Sequence, residues 1–85
     1  DVEGVIDVLR TAREAEVAVV LKRDPADGLL KASTRSKGRI DVGAVCTALG
    51  GGGHRFAAGF TSYDGTEQTL TALRAALARA PHLPA

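Results

Sequence analysis

Apolar positions change period several times along the chain, and each change marks an element. Val2, Val5, Ile6 and Leu9 recur at i, i+3, i+4 and i+7, the spacing that lines one helix face, so residues 2–13 are expected to be an amphipathic helix with Asp1 as its N-cap. Residues 16–23 follow, and their centre Val17-Ala18-Val19-Val20-Leu21 is apolar on both pleat faces. That pattern predicts a strand covered on both sides or running through the middle of a sheet. Asp24-Pro25-Ala26-Asp27-Gly28 is turn chemistry, with Pro fixing φ and Gly supplying a positive φ, so residues 29–35 should return antiparallel as a β-hairpin. In this second strand a period of two sends Leu30, Ala32 and Thr34 to a core face and Lys31, Ser33 and Arg35 to a polar one.

Residues 36–39 read as a loop, after which Asp41 is positioned to cap a short helix whose Val42, Val45 and Leu49 share a stripe. Gly50 ends that helix at C′, and Cys46 beside the stripe is read as a small buried hydrophobe. Residues 56–63 predict a third strand, and Gly59 inside it signals close backbone approach or a bulge. Asp64-Gly65 turns the chain into a helix over 66–80, with a stripe of Leu70, Leu73, Leu77 and Ala80, Glu67 in its first turn and Arg79 in its last. Pro81 stops it, leaving 81–85 as a frayed tail. The order is αββαβα: an α/β domain with a small mixed sheet, a hairpin and helices packed on the sheet. Three strands make a thin sheet, so an edge is exposed or is covered by another domain or another copy.

Length and composition narrow the class. Eighty-five residues suffice for one small domain, with 45% hydrophobic and 25% charged residues in globular proportion. The longest apolar run has five residues, Val17 to Leu21, against the ~20 of a membrane span, and no basic-then-apolar N-terminus suggests a signal peptide. No membrane partner is expected. The single Cys46 forms no internal disulfide and fits a reducing, cytoplasmic setting. The net charge is only +1, but residues 31–55 hold Lys31, Arg35, Lys37, Arg39 and Arg55 against Asp41 alone. Such a cluster either attracts phosphate or is simply a solvated face.

The block Gly50-Gly51-Gly52-Gly53 directly before His54 needs a reason, because each glycine costs roughly 0.5–1 kcal/mol of backbone entropy relative to alanine. A sharp, tightly packed turn from helix to strand requires one or two glycines. A backbone without Cβ atoms also lets a ligand approach, and consecutive amides form a nest for phosphate oxygens, which is the reading favoured here. A Walker A loop is excluded, since His54-Arg55 stands where Lys and Ser or Thr belong and the helix precedes the glycines. The Rossmann fingerprint fails because no glycine and no helix start follow at the required offset. His54, set against the glycines, is assigned to ligand contact ahead of a hydrogen-bonded structural role. No carboxylate cluster, Ser-His-Asp set or metal-ligand group is legible, which leaves a binding half-site without catalytic residues of its own.

Arg35-Ser36 followed by Gly38, then Asp41-Val42, a short helix, and Gly50-Gly51-Gly52-Gly53-His54-x-x-Ala57-Ala58-Gly59 resembles the C-terminal DHH-associated domain of DHH-type phosphoesterases. Within that family it is most similar to the oligoribonuclease and pAp-phosphatase group, some of whose members cleave cyclic di-AMP or its linear product. The resemblance covers residues 1–80 as one substrate-binding domain. It implies that Gly51, Gly52, Gly53 and His54 contact the substrate's phosphate or nucleotide, and that Arg35 and Ser36 hold phosphate or base. It further implies manganese in a separate N-terminal DHH catalytic domain of the parent chain, a short RNA or nucleotide substrate between the two domains, and a homodimer as a further association. The family domain carries a strand ahead of its first helix, so the sheet edge is expected to be truncated here. An ordinary crossover to a parallel third strand would set Arg35 and the glycines at opposite ends of the sheet. The alternative is a tRNA-binding or dimerisation module like the C-terminal domain of alanyl-tRNA synthetases. Two phenylalanines and one tyrosine supply few stacking platforms for that role.

Overall fold

The hairpin is the frame on which the other elements are hung. In the computed structural model, which describes residues 6–8 and 17–80, strand β2 (Val17–Arg23) pairs antiparallel with β3 (Leu30–Ser36), from Val17 opposite Ser36 to Arg23 opposite Leu30. The turn between them closes as its chemistry dictates. The Asp24 carboxylate accepts from the Ala26 amide at 2.9 Å and that of Asp27 from the Leu29 amide at 2.9 Å, while Gly28 adopts φ +73°. The Leu29 amide, and after it the Lys31 ammonium at 3.1 Å, hold the Asp27 carboxyl below its ordinary acid range.

Strand β5 (Ala57–Ser62) joins the free side of β3, and β4 (Gly52–His54) pairs with the outer edge of β5. On the other flank β1 (Ile6–Val8) pairs with β2, giving the strand order β1-β2-β3-β5-β4. Helix α1 (Val42–Ala48) links β3 to β4, and α2 (Thr66–Ala78) follows β5. Both helices pack on one face of the sheet. Val42, Val45 and Cys46 of α1 and Leu73, Ala76 and Leu77 of α2 form one buried cluster with Val17, Val19, Leu21, Leu30, Ala32, Ala58 and Phe60. Thr34 is buried among them, and its hydroxyl donates to the Ala58 carbonyl at 2.8 Å. No helix among the described residues is long and apolar enough to cross a membrane.

The α/β class, the hairpin, the Asp41-capped helix and the last helix are as expected from the sequence, and five details differ. Ile6–Val8 is a strand where a helix over 2–13 was expected; Ile6-Asp7-Val8 also alternates with a period of two, and pairing to β2 favours that period. The rest of that expected helix, and the tail 81–85, lie outside the described residues. The edge strand thought to be truncated is therefore supplied by Ile6–Val8. The described sheet is antiparallel at every pairing, not mixed, and its middle strand is β3 instead of residues 16–23. Nor is β2 covered on both sides: Ala18 is exposed and Val20 is 38% exposed, so one face of the sheet is open.

Candidate functional site

Strand β4 settles where the glycine block lies. Because β4 and β3 both run antiparallel to β5, they are parallel to each other with β5 between them. The crossover through α1 therefore ends on the short Gly52–His54 strand, and a two-residue turn at Arg55-Phe56 feeds β5 back alongside β3. Arg35 stands opposite Ala57, and Ala57 stands opposite His54. Arg35 and the glycine block thus meet at one end of the sheet, contrary to the separation expected from an ordinary crossover.

Opposed residues in an antiparallel sheet share a face, so Ala18, Arg35, Ala57 and His54 form one cross-strand row on the open side. The next row is Val20, Ser33, Gly59 and Gly52. Two strand spacings put the Cα atoms of Arg35 and His54 about 9–10 Å apart. Between these two exposed side chains the floor is Ala57, Gly59 and Ser33, none larger than serine. The result is a shallow trough with a cation on one wall and an imidazole on the other. One Arg35 guanidinium nitrogen donates to the Thr34 carbonyl at 3.1 Å, which steadies the side chain and uses one of its five N–H donors.

The four glycines divide by role. Gly50 adopts φ +91° as the residue after the α1 C-cap, and the Gly51 amide donates to the Cys46 carbonyl at 2.7 Å. A Cβ on Gly51 would lie 2.6 Å from Phe60 Cβ, and one on Gly53, itself at φ +140°, would lie 2.5 Å from Ala58 Cα. A Cβ on Gly52 would meet nothing within 4 Å. Three of the four are thus required by the fold, more than the one or two assigned to a turn from the sequence, and Gly52 alone has neither a close neighbour nor a positive φ to account for it. Gly59 shows the close approach expected of it, since a Cβ there would lie 2.6 Å from the Ala32 carbonyl oxygen.

Ser36 is set apart from this row. It pairs with Val17 on the helix-covered face, is 8% exposed, and its Oγ has no hydrogen-bond partner among the described residues. Its amide donates to the Phe56 carbonyl at 2.9 Å and the Val42 amide to the Arg55 carbonyl at 3.0 Å, so the Arg55-Phe56 turn is clamped between β3 and α1. Asp41 accepts from the Ala44 amide at 3.0 Å as a helix cap. The Arg55 guanidinium sits 5.7 Å from the centre of the half-exposed Phe56 ring, a cation–π contact at the rim. Sequence reasoning passed over Ser33 and Ala57 as floor residues; counting by twos from Arg35 and Gly59 would have found them. Among the described residues no three His, Cys, Asp or Glu side chains gather. These described residues do not form a manganese ligand set. A protein-family model described as the DHHA1 domain matches residues 1–80.

Proposed function

The chain belongs to the DHHA1 domain family, and from that premise we propose that it is the substrate-holding domain of a DHH-type phosphoesterase acting on a short nucleotide. DHHA1 domains are associated with DHH phosphoesterases and normally follow an N-terminal DHH catalytic domain in the same chain. The metal chemistry, with manganese as the metal, is assigned to that domain. Short oligoribonucleotides, pAp, or cyclic and linear di-adenosine nucleotides are the substrates proposed for the parent enzyme.

The observation that carries the reading is the cross-strand row in which Arg35 and His54 flank Ala57, above Gly59 and Gly52. Arg binds phosphate oxygens through two parallel donors, and an imidazole adds a third. A floor without long side chains lets the ligand lie against the sheet. Held so, a phosphodiester is positioned for attack by groups carried on another domain, which is a contribution of orientation and not of proton transfer. Gly51 and Gly53 shape this wall, and their role is architectural; Gly52 faces the ligand.

Titration of the 85-residue chain with pAp, followed by amide chemical shifts, tests the proposal. Shifts are expected first at Arg35 and at residues 51–54. Gly52→Val should remove them while leaving the melting temperature unchanged, because the new side chain meets no protein atom within 4 Å at its Cβ. Shifts confined to other regions, or wild-type binding by Gly52→Val, would refute the reading.

A further inference from the structure

We infer that the open face carries a second phosphate position at Lys22, and that the ligand filling both positions is a single-stranded dinucleotide or longer strand laid along β3. The inference rests on the phosphate reading of Arg35 and His54 above.

The charge distribution of the sheet points there. Strands β2 to β5 hold Lys22, Arg23, Lys31, Arg35 and His54 and not one Asp or Glu. The acids between residues 17 and 80 lie off these strands: Asp24 and Asp27 in the turn beside Lys31, Asp64 in a second turn, Asp41 at a cap, and Glu67 on α2. At the far end of the open face Lys22 stands directly opposite Lys31, an arrangement of like charges that weakens a strand pair. Lys31 is compensated, with its Nζ 3.1 Å from Asp27 and 4.0 Å from Asp24. Lys22 has no ion-pair partner among the described residues, and it is exposed.

The spacing fits a strand of nucleotides. Lys22 and Lys31 share a row four residues along β3 from Arg35, about 13 Å at the rise of an extended strand. One phosphate group cannot span that length, whereas a backbone with two phosphates can once the long side chains lean inward. Between the two ends lie Val20, Ser33 and Gly59, which leave the path low. Acidic protein segments also seek cations, but the first anchor of the track is built for a phosphate.

The test compares 5′-phosphorylated diadenylate with AMP on the full chain, by calorimetry across a potassium chloride series. Lys22→Glu should weaken the dinucleotide about fivefold more than AMP, the size of one exposed charge contact. The logarithmic salt dependence for the dinucleotide should become shallower by about 0.7. Lys22→Gln should give a smaller change in the same direction, and neither variant should lower the melting temperature, because both relieve the repulsion from Lys31. Equal loss for both ligands, or no loss, overturns the second position. If Arg35→Ala and His54→Ala weaken both ligands while Lys22→Glu weakens neither, only the second position falls. If those two variants change neither ligand, the reading of the Arg35–His54 row falls as well. Selective loss of a hexaglutamate peptide in Lys22→Glu, with the dinucleotide unaffected, would reassign the face to an acidic protein and overturn the inference.

Discussion

A side chain at Gly51 or Gly53 would strike strand β5, while one at Gly52 would extend into open space. Neighbouring residues of one motif therefore differ in what the fold demands of them. Gly51→Ala and Gly53→Ala are expected to cost about 1–3 kcal/mol in denaturant unfolding, because packed backbone has to give way. Gly52→Ala should stay within about 0.5 kcal/mol of the wild type. Cys46 offers a second contrast. Burial pushes its thiol pKa up, although the contact with Thr34 Oγ1 at 3.5 Å opposes this. A folded-state pKa above the unfolded value means that the contribution to stability is complete below the unfolded thiol pKa and is lost as pH rises through the folded one. Melting temperature should therefore fall on the alkaline side of the ordinary thiol range, and Cys46→Ala, though less stable at neutral pH, should lose that part of the decline. Alkylation of Cys46 in the folded chain should proceed at the rate of transient opening and not at that of a free thiol.

Elements differ in how firmly the fold holds them. Strand β3 is paired on both sides, whereas β4 has three residues and one partner. Amide exchange should be slowest in the centre of β3 and β5 and markedly faster at residues 52–54, read by mass spectrometry or NMR. On β2, Leu21→Ala should cost about 2–5 kcal/mol, and Val20→Thr on the open face should be near neutral. The same contrast explains what the residues revealed in advance. The 24–28 turn, the Asp41 cap and the α2 stripe are local chemistry, and each was legible. Gly52-Gly53-His54 has no intrinsic strand preference; it becomes β4 only because β5 lies beside it, and sequence spacing carries no trace of that. Missing β4 made the sheet look mixed and parted Arg35 from His54. At Ile6–Val8 the expected first helix gives way for a related reason, since Ile6 fits both the helical spacing with Val2 and Leu9 and the alternation of Ile6-Asp7-Val8, and pairing with β2 chooses between them. Arg35, Gly52 and His54 were legible as candidate residue types, but not their alignment across one face of the sheet. Ser36 was grouped with Arg35 by adjacency, although alternate residues of a strand face opposite ways.

At the scale of the whole molecule, two helices among the described residues close one side of the sheet, and cations and small residues occupy much of the other. Binding that depends on this face should weaken steeply with salt, whereas unfolding, governed by the apolar side, should depend on salt only weakly; parallel titrations of affinity and melting temperature would show the difference. The turn at Arg55-Phe56 has a consequence of its own. Even-numbered residues point outward on β2 and β4, odd-numbered ones on β3 and β5, and the two-residue turn is what switches parity between β4 and β5. The open-face row is thus a counting device: His54 lies on that face because of how many residues separate it from Ala57. A single residue inserted between Arg55 and Phe56 either buries His54 or breaks the pairing, and two inserted residues restore it. Response to pAp should accordingly vanish with one added residue and return with two, so that length, as much as identity, is what this motif encodes.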